Sequence, residues 1–362
     1  MSPLLLALLL ATPPAAAWPS ARVTPVRALP GDAVLVEVVD AAAPPTGALA
    51  GRPLRFWPGG EGRWLAVAPL PIETRPGAAV VALLVDGLTL LPALEIAPPR
   101  FTSTTLSVPP RFIEPPASAR KRIAADQAAI RQAYAQPFGP PRVRASFAVP
   151  LEVEPSGRYG DQRVYNGKTE GVHYGLDLPS PTGTPVPAGA GGQVVLARDC
   201  YMSGKTVLLD HGAGIFSASF HLSRIDVAVG QQVDQGQVIG RVGSTGRSTG
   251  PHLHWGIKVD GLWVDPLSAL RFALGGGEAE RATATPVETP PSTTTPLETA
   301  SPAEAVTPTE TPTPIAIPTP IATPTPTPTG TPAATDGAAS SPPPPPTEPP
   351  PPAADGAAAP PR

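Results

Sequence analysis

Cysteine is nearly absent: Cys200 stands alone among 362 residues. An intrachain disulfide is excluded, and the residue reads as a small buried hydrophobe rather than a free thiol. Long apolar runs are missing too. Residues 4–11 form a short one that cannot cross a bilayer as a helix, so no stable membrane span is expected in the mature chain. There is no concentrated stripe of Lys and Arg, which argues against nucleic acid as a partner. Histidine is scarce, with five in the chain, so the placement of each one is informative.

Proline, by contrast, is abundant, with 56 residues against an average usage of about 5%. It is concentrated late in the chain, in runs such as Thr323-Pro324-Thr325-Pro326. Such a segment buries too little apolar surface to offset the entropy of ordering it. Residues 273–362 are therefore expected to be a disordered, partly polyproline tail. From Glu278 onward nine acids face two arginines, a balance of −7, which leaves +4 for the rest of a chain whose total is −3. A mild positive balance suits an anionic polymer better than nucleic acid.

The first residues carry an address. The apolar run of residues 4–11 leads into Thr12-Pro13-Pro14-Ala15-Ala16-Ala17, an Ala-x-Ala pattern. That arrangement predicts a signal peptide over residues 1–17 and an exported protein.

Between these ends the pattern is mostly β. Apolar stretches such as Ala33-Val34-Leu35-Val36-Glu37-Val38-Val39 are of strand length, and Pro30-Gly31-Asp32, Pro76-Gly77 and Asp86-Gly87 punctuate them. Residues 18–97 are expected to form a small sandwich. Residues 98–146 read as a linker, proline-broken and lying along the surface up to Pro116. It holds one helix near residues 117–135, which Ser118 can cap and Pro137 stops. Within it, Arg120-Lys121-Arg122 reads as a solvated face. Residues 147–272 return to short strands, with Asn166-Gly167 as a hairpin signal.

Chemistry is concentrated in two short patterns, His173-x-x-x-Asp177 and His252-x-His254. On a strand, His252 and His254 share a face and Leu253 points into the core. His173 and Asp177 also fall on one face, of a strand or of a helical turn, and Gly175 between them permits irregular backbone. Either pattern alone is common among structural histidines. Together they supply imidazole and carboxylate donors for one metal ion. A third element, Ser219-Phe220-His221-Leu222-Ser223, places His221 just before the strand-like Ile225-Asp226-Val227. The run from Gly243 to Gly250 is a turn shaping the cleft, since it lacks the Lys-Ser/Thr of a phosphate loop.

These residues resemble the M23 peptidases, the lysostaphin- or LytM-like peptidoglycan endopeptidases. The resemblance rests on His173-Tyr174-Gly175-Leu176-Asp177, Gly183-Thr184-Pro185-Val186, His221-Leu222-Ser223, Gly236-Gln237-Val238-Ile239-Gly240 and Gly243-Ser244-Thr245-Gly246 leading to His252-Leu253-His254. It runs from about Tyr159 to Leu270. Residues 18–97 look like the Ig-like domain found ahead of such enzymes.

The resemblance implies an antiparallel β-sheet groove for residues 147–272. It implies Zn2+ held by His173, Asp177 and His254, with His221 and His252 as the catalytic pair. It further implies peptidoglycan as partner and a periplasmic, wall-associated or secreted location. Such a protein would hydrolyse stem or cross-bridge peptides of the wall. The alternative is a non-catalytic relative that activates a separate wall amidase. One position departs from the family pattern: Ser219 stands where a tyrosine is usual. His211, in Asp210-His211-Gly212, reads as structural. Residues 150–165 are a candidate segment for entering the cleft and restraining activity.

Overall fold

The computed structural model describes residues 18–275 apart from 61 and 168. The expected signal peptide and the expected tail beyond residue 275 lie outside the described residues. Strands dominate what is described. The strand Ala33–Val39 pairs antiparallel with Ser20–Thr24 and with Arg63–Pro69. Its side chains alternate between two cores. Val34, Val36 and Val38 pack with Ala66, Ala68, Leu83 and Val85, while Ala33 and Leu35 join Leu65, Val67 and Trp57 in the core of the C-terminal half. Burial on both faces is why this stretch reads as an unbroken apolar run rather than an alternation. Glu37 is the polar exception, and Arg22 and Arg63 both pair with it.

Buried polar contacts cross the junction between the two halves. Ala33 N–H donates to Ser268 Oγ at 2.8 Å, and Arg271 Nη1 donates to Asp32 Oδ2 at 2.9 Å. Asp32 is fully buried, and its Oδ1 has no hydrogen-bond partner. Burial pushes the Asp265 carboxyl up to about 6, and the nearby Asp32 charge adds to that push. A carboxyl raised on folding contributes stability that is full below its ordinary pKa of 3.8 and is lost as pH rises through about 6. Asp265→Asn keeps the acceptor for Leu267 N–H and removes the titration. Relative to wild type, the metal-free variant is expected to gain on the order of 2 kcal/mol between pH 4 and pH 7. Urea unfolding across that range checks it, and a difference that stays flat would count against the assignment.

The linker carries more structure than its sequence suggests. Within the expected surface stretch, Ser103–Leu106 forms a strand that pairs in parallel with Gln162–Tyr165, which in turn pairs antiparallel with Thr169–Val172. The helix spans Ala117–Tyr134. Its N-cap is Pro116, with no side-chain cap, so Ser118 does not take that role. Proline serves there because the N–H it lacks would have had no partner inside the helix. The helix packs Ile130, Ala133 and Tyr134 against Leu208 and Ala218 of the main sheet. Asp126, buried in that contact, accepts from Arg198 Nε at 2.7 Å and Tyr201 N–H at 2.8 Å. Arg120, Lys121 and Arg122 are exposed.

The C-terminal half is organised by an antiparallel sheet in the order Leu176–Pro179, His252–Val259, Ile215–Leu222, Gly204–Asp210, Gly192–Cys200, Gln232–Val233. Leu176, Leu178, Leu253, Trp255 and Ile257 fill its core face and are at most 1% exposed. Burial of this face holds the register, because a one-residue slip would turn every apolar side chain outward. Cys200 is buried. Leu274 is fully buried, so the packed core reaches at least that residue.

Candidate metal centre and its cleft

Register places the key side chains. Asp177 lies directly opposite His254, and His254 lies directly opposite Phe220 on its other side. Directly opposed residues project from the same face of a sheet, so Asp177, His254 and Phe220 form one row across three strands. The row faces away from the core layer of Leu253 and Trp255. Phe220 stacks on the His254 ring, 5.1 Å between centroids and 4° between planes, and so holds its orientation.

His173 joins the row from the segment that follows Thr169–Val172. Its Nε2 lies 3.0 Å from Asp177 Oδ1 and 3.0 Å from His254 Nδ1, and His254 Nδ1 is 3.0 Å from Asp177 Oδ1. The sequence-predicted donors thus converge on one point, all of them buried. Gly175 between them has a specific reason to be glycine. A Cβ there would lie 2.7 Å from both His254 Nε2 and the Trp255 carbonyl oxygen. Close approach of the histidine, rather than irregular backbone, accounts for the residue.

Backbone carbonyls decide which ring nitrogens face the site. A carbonyl only accepts, so a ring nitrogen bonded to one carries the proton. His173 Nδ1–H donates to Arg158 O at 2.9 Å, His221 Nδ1–H to Thr245 O at 2.8 Å, and His252 Nδ1–H to Gly250 O at 2.9 Å. Each neutral ring is left with its lone pair on Nε2. For His173 that lone pair points at a carboxylate oxygen 3.0 Å away. Two lone pairs at that distance repel unless a proton or a cation lies between them. The donor set, two imidazole nitrogens and one carboxylate oxygen, is that of a zinc centre with three protein ligands. The residues therefore fit such an ion.

His221 and His252 flank this cluster, with ring centroids 4.9 Å apart and His252 Nε2 3.6 Å from Asp177 Oδ1. His221 lies at the end of the strand Ile215–Leu222 and, as its sequence context suggested, just before another strand, Arg224–Ile225. Its backbone is left-handed, φ 62°, a strained conformation for a residue with a side chain. Hydrogen bonds on both sides hold that conformation: His221 N–H donates to Ser203 O at 2.9 Å, and Thr245 N–H donates to His221 O at 3.3 Å. Burial pushes the His221 imidazole down to about 3, and the neighbouring His252 and His254 add to the shift. For Asp177, burial favours the neutral form, but His173 and His254 outweigh it and hold the carboxyl far below the ordinary range.

These groups line a cleft of about 260 Å³ whose walls include Arg163, Tyr165, Tyr174, Phe220, Arg247 and Trp263. Sequence reasoning missed Arg163. It is 8% exposed, and its Nη2 lies 3.0 Å from Asp177 Oδ2, the oxygen that does not face His173 and His254. The only signal was parity: Arg163 and Tyr165 are two apart on one strand. The expected cleft segment, residues 150–165, does contact the site through these residues and through the bridge between Gly157 and Asp177. Ser219 is opposite Trp255 and not among the cleft residues. His211 is fully buried elsewhere, donating from Nδ1 to Gly191 O at 2.7 Å and bonded through Nε2 to Ser217 Oγ at 2.8 Å.

Residues 171–266, which include all five of these histidine and aspartate side chains, match the model of peptidase family M23. Over 97 residues the chain is 43% identical to peptidoglycan DD-endopeptidase ShyA of Vibrio cholerae, a match covering 27% of this chain and 23% of that protein. Over 126 residues it is 38% identical to lysostaphin of Staphylococcus staphylolyticus, covering 33% and 26%. The chain thus spans about a quarter of the length of these curated relatives. A crystal structure assigned to peptidase M23 from Pseudomonas aeruginosa is 32% identical, covers 67% of this chain and 94% of that one, and superposes with a TM-score of 0.50.

Proposed function

Because this chain belongs to peptidase family M23, we propose that it is a zinc-dependent endopeptidase hydrolysing peptide bonds in peptidoglycan stems or cross-bridges. The observation that carries this reading is the triangle of His173 Nε2, Asp177 Oδ1 and His254 Nδ1, each 3.0 Å from the others. Zinc held there would polarise the scissile carbonyl and lower the pKa of water to about 7.

The flanking pair moves protons. His221 and His252 each have Nδ1–H tied to a carbonyl and Nε2 free to accept or hold a proton at the site. One ring takes the proton of the attacking water; the other, protonated, donates to the leaving amine or to the developing oxyanion. Arg163 engages the outer oxygen of Asp177, which leaves Oδ1 to face the metal position. Phe220 and Trp263 add apolar rings to the cleft lining beside these groups.

Export follows from the substrate and from the signal-like first residues, with the periplasm or the wall as the place of action. No helix among the described residues is long and apolar enough to cross a membrane. The complete donor set favours an enzyme over a regulator that activates a separate amidase. The test is digestion of purified peptidoglycans of different cross-link chemistry, with mass spectrometry of the released fragments. The zinc-loaded protein is expected to release cut peptides by itself. Release only in the presence of an added amidase would transfer the function to the regulator reading.

A further inference from the structure

Among the described residues, one charge in the cleft has no counter-ion. The cleft lining contains three charged side chains, Arg163, Asp177 and Arg247. Arg163 and Asp177 pair at 3.0 Å, and Arg163 is too buried to reach outward. Arg247 has no carboxylate within ion-pair distance among the described residues. Its guanidinium instead lies over the Tyr165 ring, 4.6 Å from the centroid, and the residue is only partly exposed.

The loop bearing it is built to hold position. Arg247 N–H donates to Met202 O at 2.7 Å, and Lys205 N–H donates to Thr245 Oγ1 at 2.9 Å. Gly246, left-handed at φ 72°, sits so close to the 202–204 turn that a Cβ would collide with Gly204 N and Met202 O. A half-buried cation on a pinned loop, resting on an aromatic face and with no carboxylate partner among the described residues, loses hydration without gaining a counter-ion. Placed beside the candidate metal centre, it suits an anionic group that arrives with the substrate. A guanidinium recognises a carboxylate by paired, charge-assisted hydrogen bonds.

We propose that Arg247 is a specificity-determining residue that binds a free carboxylate of the substrate peptide, selecting acidic stem peptides over uncharged bridges such as polyglycine. The proposal rests on the peptidase reading above, and it names the substrate class of that same site. Tyr165 acts as the positioning residue for the guanidinium.

The experiment uses the full, zinc-loaded chain and two cross-linked stem peptides. They are identical except that one bears free carboxylates and the other carboxamides. Wild type is expected to show kcat/KM about ten- to a hundredfold higher for the acid peptide, the range of a hydrogen-bonded charge partner. Arg247→Gln is expected to bring that ratio close to one, mainly through KM, and Arg247→Lys to restore part of it. A merely structural role would slow both peptides alike and leave the ratio intact.

A second arm measures calorimetric binding of the same two peptides with the scissile amide N-methylated to block turnover. Acid-over-amide binding that disappears in Arg247→Gln supports the proposal even if neither peptide is cut, in which case the peptidase reading alone fails. Equal handling of acid and amide by wild type, or a ratio unchanged in Arg247→Gln, overturns the proposal whether or not hydrolysis occurs.

Discussion

His254→Ala is expected to abolish stoichiometric zinc binding and to lower wall-degrading turnover by on the order of a thousandfold or more. The size follows from the position of the residue. His254 stands between Asp177 and Phe220 in the row across three strands, and its Nδ1 is one of three donor atoms held at 3.0 Å. Removing it leaves two donors where an open zinc site needs three. The fold should survive, because the ring lies on the cleft face while the neighbouring Leu253 and Trp255 fill the core. Metal analysis of the purified protein together with fragment release from purified wall checks both parts. A variant that retains a full complement of zinc, or wild-type turnover, would show that the metal is held elsewhere or is not needed.

Gly175→Ala should cost about a hundredfold in zinc affinity and a similar factor in kcat/KM, the loss associated with displacing one reacting group by about an ångström. The added methyl meets His254 Nε2 and the Trp255 carbonyl oxygen at 2.7 Å, and His254 Cε1 at 2.8 Å. Trp255 is 1% exposed in the main core, so its backbone cannot give way. The histidine ring must therefore shift, against its stacking on Phe220. Overpacking of this kind also costs about 1–3 kcal/mol of stability. Competition with a chelator of known affinity, alongside urea unfolding, separates the two effects. Wild-type zinc affinity in this variant would refute the claim that close approach is what requires glycine here.

The two patterns were legible from strand parity and a four-residue spacing, and because five histidines in the whole chain make coincidence costly; that His254 rather than His252 supplies the third donor was implied only by the family resemblance. His221 was legible from its Ser-Phe-His-Leu context, although its left-handed backbone was not. Arg163 escaped notice because a lone arginine in a strand gives no sign of pointing at a carboxylate fourteen residues away. The strand Ser103–Leu106 escaped for a different reason. Proline-rich flanks suppress the strand signal, while a parallel partner some sixty residues later in the chain supplies the hydrogen bonds.

What the sequence alone determined, then, is local: strand-length apolar runs, turn positions, the two patterns that hold the candidate donors, and the strand face shared by His252 and His254. Which strands become neighbours, which ring nitrogen looks inward, and which arginine meets Asp177 were decided by the tertiary structure. The physical reason is that parity is set by covalent geometry within a few residues. Register and tautomer depend on cores and carbonyls brought together from distant parts of the chain.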